Sequence, residues 1–561
     1  MNFGEWNELI SFGIRIAEPI VALIVVCLSF VSLRTSRRKE EPLIFLNDKN
    51  LDRSYPVLYW ENSLGRSRSS DIRIDDPTVS RDHAVLLRRS GGWFITDTGS
   101  KSGVYVNGNK TNGRCPVAVG DVIALGNTKL VLKRATDAEG NQIHRIKRKY
   151  VPSAFILSFI TLYISLMALQ GAVNLQSVKP VFPAAIMTAF VWIFYIVSRF
   201  QFKRPNFELE SLALLMSSTG VMMAAVHDEK RGYVQLAATV LGSMIFFFII
   251  WFIEIPDRVM KWHIAISVLC ILMLASSLAL GSVLNGAKNW IVIGPLSVQP
   301  SEFAKIAYIF VGASTLDVLQ TKKSLTQFII VSALSVGLLI LMSDFGTALI
   351  FFVTFLIISF MRSGDLRTVI LAVTAAILGA LIMLTIKPYI ADRFLAWGHV
   401  WEYADDQGYQ QVNSLVYSAS GGVFGVGLSK GYLQYLFASE NDLVFCLICE
   451  EAGCALALIL AAVIGGLMLY ARGITTRSRS AFYSITACSA AGLLVFQTAL
   501  NIFGVVDILP LTGVTFPFVS YGGSSMAACW GLLAFIKAAD ERTYSYRIPK
   551  KIPDEKEYVE V

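Results

Sequence analysis

Residues 286–305 of this 561-residue chain read GAKNWIVIGPLSVQPSEFAK and follow a strongly apolar stretch. The segment carries six polar or charged side chains: Lys288, Asn289, Gln299, Ser301, Glu302 and Lys305. Such groups are costly at membrane depth unless they face a polar cavity. The segment therefore predicts a functional polar surface where hydrophobic helices meet water, and the alternative is a loop that only caps two helices.

The composition around this segment is that of a membrane protein. Hydrophobic residues make up 54% of the chain and charged residues only 16%, which is too apolar for an ordinary soluble protein. Apolar stretches long enough to cross a bilayer predict about thirteen helices: 17–33, 152–172, 180–198, 208–226, 233–254, 263–284, 303–319, 325–342, 345–361, 367–387, 442–471, 480–503 and 520–538. We expect the first to be a retained anchor and not a cleaved signal peptide.

Lys and Arg residues cluster beside alternate ends of these stretches, for example at residues 34–39, 145–149 and 199–204. The positive-inside rule places these clusters in the cytoplasm. The N-terminus and the loop 388–441 are then predicted to lie outside, and the C-terminus inside. The formal net charge of +8 is accounted for by these loops, so it indicates no nucleic-acid partner.

Residues 43–134 follow a different pattern from the rest of the chain. Short apolar runs such as HAVLL and GVYV alternate with turn signals such as Asn107-Gly108 and Asn112-Gly113. This alternation is typical of a small all-β sandwich. Its arginines give it the capacity to bind an anion.

The same segment contains Gly65-Arg66, Ser80-Arg81-Asp82-His83, Gly99 to Gly103 and Asn107-Gly108 in order. In this spacing it resembles the forkhead-associated (FHA) domain, a phosphothreonine-binding β-sandwich. The resemblance implies a phosphopeptide site, with His83 as a structural brace. Lys101 and Ser102 stand where the family usually has Thr-Asn. The residues of this predicted site are Arg66, Ser80, Arg81, Lys101 and Ser102.

Four polar blocks, the opening segment among them, are predicted to lie on one face of the membrane region: residues 286–305, 343–348, 388–441 and 509–525. The motifs of the membrane region, QPSE before Lys305, DFGTA at 344–348, SGG at 420–422, EEAG at 450–453 and PFVSYGGSS at 517–525, resemble those of the SEDS family of RodA and FtsW. The expected fold is a polytopic α-helical membrane protein with ten core helices plus about three extra, and with the FHA sandwich inserted.

The SEDS resemblance implies polymerisation of peptidoglycan glycan strands from lipid II, with a class B penicillin-binding protein as transpeptidase partner. It implies that Asp405 is the general base, with Asp406 as the alternative register. Lys305 shares a helix face with Glu302, so the pair is either a structural salt bridge or presents Lys305 to the pyrophosphate. A divalent cation, Mg or Mn, is possible at Asp344 or Glu451, with no organic cofactor. The other predicted substrate-site residues are Glu302, Lys288, Arg393, Ser420, Gly421, Gly422, Ser520 and Gly522.

Two other functions fit the same pattern. A transporter that flips lipid II also needs a polar cavity in a polytopic fold, and a non-catalytic scaffold could recruit phosphorylated proteins of elongation, division or sporulation. The expected partners are lipid II, membrane lipids and a phosphothreonine protein made by a Ser/Thr kinase. The predicted parts are 1–42 (anchor), 43–134 (FHA), 135–205 (linker and two helices), 206–540 (SEDS domain) and 541–561 (cytoplasmic tail).

Overall fold

The computed structural model describes residues 3–35, 42–51, 53–68, 70–89, 92–134, 151–201, 206–284, 287–294, 296–314, 322–363, 366–386, 397–475, 478, 480–540 and 543. Arg393, one of the predicted pyrophosphate ligands, lies outside these residues. The same holds for the predicted tail 541–561 except Thr543, and for several of the basic residues on which the predicted orientation depends.

Fifteen α-helices occur in the described part of the chain, and twelve of the thirteen predicted spans each coincide with one helix. Nine of these helices are long and apolar enough to cross a membrane. In chain order the helices are α1 Phe3–Thr35, α2 Ser153–Leu175, α3 Val181–Ile196, α4 Glu208–His227, α5 Glu229–Ile253, α6 Pro256–Leu280, α7 Pro300–Ser314, α8 Lys322–Leu341, α9 Phe345–Ser363, α10 Leu366–Ile386, α11 Tyr409–Ser420, α12 Val444–Glu451, α13 Cys454–Thr475, α14 Ala481–Val505 and α15 Gly523–Ala539.

The single span predicted at 442–471 is wrong, because two helices, α12 and α13, occupy it. Gly453 separates them with a φ of +96°, a conformation that side-chain-bearing residues rarely adopt. A Cβ at Gly453 would also collide with the carbonyl oxygen of Val423. The run Glu450-Glu451-Ala452-Gly453 interrupts the apolar stretch at this break, a signal that the prediction of a single span did not use. The predicted loop 388–441 likewise contains a helix, α11.

The all-β prediction for the segment 43–134 is confirmed. Two sheets pack face to face, with strand orders β2-β1-β11-β10-β7-β8 and β4-β3-β5-β6-β9, around buried residues such as Leu46, Leu86 and Ile123. The strands are β1 Ile44–Asp48, β2 Ser54–Val57, β3 Glu61–Gly65, β4 Ile72–Arg73, β5 Ala84–Arg89, β6 Gly92–Asp97, β7 Val104–Val106, β8 Asn109–Lys110, β9 Arg114–Val117, β10 Val122–Leu125 and β11 Thr128–Arg134.

The opening segment, which the structure describes at 287–294 and 296–305, is not only a capping loop. It contributes to a small antiparallel sheet of β12 Ser282–Leu284, β13 Ala287–Ile293 and β14 Leu296–Val298, and then enters α7. The backbone N–H of Lys288 donates to the carbonyl oxygen of Met342 at 3.0 Å. This hydrogen bond ties the sheet to the turn between α8 and α9.

The β-sandwich docks on the end of the helical bundle at which α14 begins. The backbone N–H of Ala481 donates to a Glu61 carboxylate oxygen at 3.2 Å, and Arg89 pairs with the same carboxylate at 3.1 Å. Burial raises the pKa of Glu61, and the Arg89 charge opposes that rise. The ring of Trp60 meets the edge of Tyr483 at 5.8 Å between centroids. A carboxylate at a helix N-terminus is favourable because of the helix dipole.

Candidate functional site

A polar cavity of about 1210 Å³ lies where the four predicted blocks meet. The structure brings these blocks together from α7, the α8–α9 turn, the segment between α10 and α12, and the segment between α14 and α15. The residues that line the cavity are Arg231, Ala287, Asn289, Trp290, Gln299, Glu302, Ser343, Asp344, Phe345, Thr347, Ile350, Gln407, Gln410, Gln411, Gln434, Tyr435, Leu436, Phe437, Ala438, Ser439, Glu440, Asn441, Asp442, Leu511, Thr512, Gly513, Val514, Thr515, Tyr521, Gly522 and Ser525.

Asp344 is held by donors from two of these blocks. Its carboxylate accepts from the side-chain amide of Asn289 at 2.9 Å and from that of Gln299 at 3.4 Å. The backbone N–H of Thr347 donates to it at 3.1 Å, at the start of α9. These three donors stabilise the ionised carboxylate and fix the opening segment against the α8–α9 turn.

Glu302 and Lys305 form an ion pair at 2.7 Å on one face of α7, as their spacing of three residues allows. Glu302 lines the cavity, whereas Lys305 lies behind it and is only 1% exposed. The Lys305 ammonium also donates to the side-chain oxygen of Gln497 on α14 at 3.1 Å. In this structure Lys305 therefore packs behind the cavity wall and does not line the cavity.

A second charged group surrounds His227 at the end of α4. Its imidazole lies 3.3 Å from Glu440 and 2.9 Å from Glu451. Arg231, at the start of α5, pairs with Glu440 at 3.0 Å and lines the cavity with its side chain half exposed. Among the described residues that line the cavity, Arg231 is the only Lys or Arg. It is the cation best placed for a phosphate group in this wall.

Asp442 differs from the other carboxylates of the cavity wall. Within the described part of the chain its side chain has no hydrogen bond or ion pair, whereas its backbone is fixed, since its N–H donates to Ala438 and Asn501 donates to its carbonyl oxygen at 2.8 Å. Burial raises the pKa of Asp442 to about 6. Burial raises a carboxyl pKa because it disfavours the charged form.

The predicted bases Asp405 and Asp406 are both exposed and lie in a series of turns before α11. Neither lines the cavity, but Gln407 of the same turns and Gln410 and Gln411 of α11 do. The Asp406 backbone N–H donates to the carbonyl oxygen of Tyr403 at 3.1 Å. The loop that carries the predicted base therefore contributes to the cavity wall through the residues that follow it.

Several predicted site residues shape the backbone around the cavity. A Cβ at Gly421 would collide with the carbonyl oxygen of Cys449, so α11 ends in close contact with α12. Ser420 and Gly422 lie beside it, and the Ser420 hydroxyl donates to the carbonyl oxygen of Tyr417 at 2.7 Å. None of these three lines the cavity. Lys288 is half-buried and is also outside the lining.

The predicted residues of the SYGGSS motif lie on the wall formed by the segment before α15. The hydroxyl of Ser520 donates to the carbonyl oxygen of Asn441 at 2.6 Å, which braces the loop that carries Asp442. Gly522 lines the cavity, and its N–H donates to the side chain of Gln235 at 3.2 Å. In this structure Ser520 therefore stabilises the backbone of this loop and does not itself line the cavity.

The two residues predicted as possible metal ligands lie in different surroundings. Asp344 faces the cavity, whereas Glu451 is fully buried, pairs with His227 and accepts the N–H of Ser429 at 3.1 Å. Among the described residues no group of three or more His, Cys, Asp and Glu side chains is arranged to hold a metal ion. The divalent cation stays a prediction.

The predicted phosphopeptide residues gather at one edge of the β-sandwich. Arg66, Arg81 and Lys101 are exposed, and the backbone N–H of Lys101 donates to the Ser80 hydroxyl at 3.1 Å. The Ser102 hydroxyl donates to the carbonyl oxygen of Thr78 at 3.3 Å.

His83 is fully buried beneath this edge. Its Nδ1 accepts the N–H of Ser80 at 3.0 Å, and its Nε2 lies 3.1 Å from the carbonyl oxygen of Gly103. His83 therefore connects the two loops, in the bracing position that the sequence predicted.

Comparison with known proteins identifies both parts of the chain. The family model FtsW/RodA/SpoVE, described as a cell cycle protein, matches residues 206–545, and the FHA domain model matches residues 62–126. The chain therefore belongs to the FtsW/RodA/SpoVE family and carries an FHA domain. Both resemblances predicted from the sequence are confirmed, as are the helical membrane fold and the inserted sandwich.

Two curated relatives and one solved structure illustrate the similarity. A probable peptidoglycan glycosyltransferase FtsW of Saccharophagus degradans is 30% identical over 366 residues, 60% of this chain and 92% of the relative. The peptidoglycan glycosyltransferase RodA of Mycobacterium tuberculosis is 28% identical over 335 residues, 55% of this chain and 70% of the relative. A chain from a study of polymerization and crosslinking by a peptidoglycan synthase complex has 25% identity and a TM-score of 0.51, covering 61% of this chain and 98% of that one.

The sequence interpretation did not single out three residues of the cavity: Arg231, Glu440 and Asp442. Arg231 lies in the run HDEKRG, which reads as an ordinary charged helix start. Asp442 was the first residue of the membrane span predicted at 442–471, and a polar residue is ordinary at the end of such a span. The available signal was the density of acidic residues in SENDLVFCLICEE, residues 439–451.

Proposed function

We propose that this protein polymerises peptidoglycan glycan strands from lipid II, an undecaprenyl-pyrophosphate-linked disaccharide, at the outer face of the cytoplasmic membrane. The main observation behind this proposal is the polar cavity formed by the motif blocks that the chain shares with its family. The relatives named above are peptidoglycan glycosyltransferases, which supports this reaction. At about 1210 Å³ the cavity exceeds a typical small-ligand pocket, as a disaccharide with its diphosphate requires.

The reaction sets three requirements for the cavity. A sugar hydroxyl attacks the anomeric carbon, a base takes the hydroxyl proton, and the bond from the anomeric carbon to the pyrophosphate oxygen breaks with its electrons on the pyrophosphate. A guanidinium suits the pyrophosphate because it donates two parallel hydrogen bonds, and Arg231 supplies one. The loop carboxylate Asp405, with Asp406 as the alternative, is the base that the family resemblance implies.

The direct test is polymerisation of labelled lipid II by the purified full chain, alone and with a class B penicillin-binding protein. Products longer than one disaccharide unit that a muramidase digests support the proposal. Movement of labelled lipid II across liposomes without polymer would favour a transporter. Absence of both activities, with binding to phosphorylated proteins retained, would favour a scaffold.

We propose that the FHA domain binds a phosphothreonine protein and so regulates polymerisation. Arg66→Ala in the full chain should weaken binding of a phosphothreonine peptide by about 1.5–3 kcal/mol, the contribution of a hydrogen bond to a charged group. Titration of phosphorylated and unphosphorylated peptides measures it. The control is Arg53→Ala, an exposed arginine directly before β2, which belongs to the other sheet than β3, the strand that precedes Arg66. Equal affinity of the wild type for both peptides would contradict phosphate recognition.

We propose that the FHA domain and the C-terminus lie in the cytoplasm and that the N-terminus and the loop 388–441 lie outside. In a chain without native cysteines, a cysteine at position 405 should react with an impermeant thiol reagent in intact cells, and a cysteine at position 100 only after lysis. Both residues are accessible enough to label, since Asp405 is exposed and Ser100 is half-buried in a surface loop. Reaction at position 100 in intact cells would overturn the orientation.

A further inference from the structure

The loop 425–433, between α11 and α12, contacts two glutamates at the end of α12. The carboxylate of Glu450 accepts the backbone N–H of Tyr432 at 2.7 Å, and the carboxylate of Glu451 accepts that of Ser429 at 3.1 Å. Both glutamates are buried, and a buried carboxylate that loses its donors is costly. The conformation of this loop therefore determines where the two carboxylates lie.

Glu451 begins a row of four side chains that connects the loop to the cavity. Its carboxylate lies 2.9 Å from the imidazole of His227, and the imidazole lies 3.3 Å from Glu440. Glu440 in turn pairs with Arg231 at 3.0 Å, and Arg231 is the guanidinium that the proposed function assigns to the pyrophosphate. A displacement of Glu451 would therefore change the charges that orient Arg231 in the cavity wall.

Helices α1 and α2 hold the same loop by its backbone. The Arg15 guanidinium of α1 donates to the carbonyl oxygen of Gly425 at 2.6 Å. The side-chain amide of Asn174 in α2 donates to the carbonyl oxygen of Leu428 at 2.8 Å. The Ser11 hydroxyl donates to the side-chain oxygen of Asn174 at 3.1 Å, which fixes the orientation of that amide. The two helices thus hold the loop at two points along its backbone.

Two glycines allow the loop to lie close to its neighbours. A Cβ at Gly425 would collide with the carbonyl oxygen of Glu451, and a Cβ at Gly427 would lie 3.0 Å from the side-chain nitrogen of Asn174. Their φ values of +76° and +113° are ones that residues with a side chain rarely adopt. The backbone of the loop is therefore packed closely against both α2 and the end of α12.

Arg15 and Asn174 lie outside residues 206–545, the part of the chain that the family model matches. Arg15 belongs to a helix that is long and apolar enough to cross a membrane, where a cation is costly and is usually retained for a function. Its Nε is buried without a hydrogen-bond partner among the described residues. Neither side chain lines the cavity, so a contribution to the reaction has to pass through the loop.

We propose that Arg15 and Asn174 are positioning residues for the polymerisation reaction. They hold the loop 425–433 so that the row of side chains that begins at Glu451 directs Arg231 at the pyrophosphate of lipid II. This inference rests on the proposed glycan polymerisation, to which it adds two residues that touch neither the substrate nor the reacting atoms.

The test measures the affinity for lipid II and kcat/KM in polymerisation, with the full chain in nanodiscs. Arg15→Met removes the donor to the loop, so lipid II binding should weaken and kcat/KM should fall, each about 5- to 30-fold. Asn174→Leu should act in the same direction. Arg15→Lys keeps a donor and should recover part of both quantities. Arg34→Met, the same change at an exposed position at the other end of α1, is the control and should leave both unchanged.

A double-mutant cycle with Arg231→Ala separates positioning from a purely structural role. If Arg15 acts through Arg231, Arg15→Met should change lipid II affinity by less than about twofold in the Arg231→Ala background, because the group that it orients is already absent. A purely structural role would give the same loss of affinity in both backgrounds, and this equality would overturn the inference. Affinity is the quantity compared, since it can be measured even if Arg231→Ala makes no polymer.

Affinity within about twofold of the wild type in both Arg15→Met and Asn174→Leu would also overturn the inference. Thermal melting of each variant gives the temperature range in which all of them are folded, and the cycle is measured within that range. A wild type that neither binds lipid II nor makes polymer would instead contradict the proposed function, and with it the inference that rests on it.

Discussion

Asp405→Asn should lower glycan polymerisation by about 10²- to 10⁴-fold, the range expected when a general base is removed. Asparagine keeps the size of the side chain and loses its basicity. Asp405 is exposed and lies in turns before α11, so the replacement should leave folding and membrane insertion unchanged. The measurement is polymer formed from labelled lipid II by the purified chain.

Asp406→Asn is the matched control, because Asp406 is the neighbouring exposed carboxylate of the same turns. Loss of activity in the Asp406 variant alone would move the role of base one residue along the chain. Full activity of both variants would refute a base in this loop.

Much of the architecture follows from local patterns in the sequence. Apolar stretches of membrane-spanning length predicted a helix correctly at twelve of the thirteen positions, and alternating apolar residues with Gly-containing turns predicted the sandwich at 43–134. The break at Gly453 escaped prediction although Glu450 and Glu451 interrupt the apolar stretch there. The backbone conformation at Gly453 also depends on the close approach of Val423, and this tertiary contact cannot be seen in the local sequence.

The cavity could be predicted in outline but not in detail. Motif blocks near Glu302 and Asp344 pointed to one face, and the structure brings both residues to one wall. Whether a carboxylate is compensated depends on partners far away in the chain. Glu440 meets His227 from α4, for example, whereas Asp442, two residues later, has no side-chain partner among the described residues. Spacing within one segment carries no information about such partners.

For the Lys305–Glu302 pair, the structure favours one of the roles that the sequence allowed. The sequence left Lys305 either as a pyrophosphate ligand or as a structural partner of Glu302, and the structure buries its ammonium against Glu302 at 2.7 Å and Gln497 at 3.1 Å. Breaking a buried ion pair by removing one partner strands the other charge, which costs about 3–5 kcal/mol. The buried contacts therefore predict that replacing Lys305 destabilises the fold. Replacing a lysine that faced solvent and bound a phosphate would not have this effect.

Lys305→Met should accordingly lower the free energy of unfolding by about 3–5 kcal/mol, with a loss of polymerisation through the displaced Glu302. The double variant Lys305→Met/Glu302→Gln removes both charges and should recover most of the stability, because no unpaired charge then remains in the wall. Thermal melting in nanodiscs and the KM for lipid II are the two measurements. A Lys305→Met protein that melts like the wild type and has a greatly raised KM would show instead that this lysine binds the pyrophosphate directly.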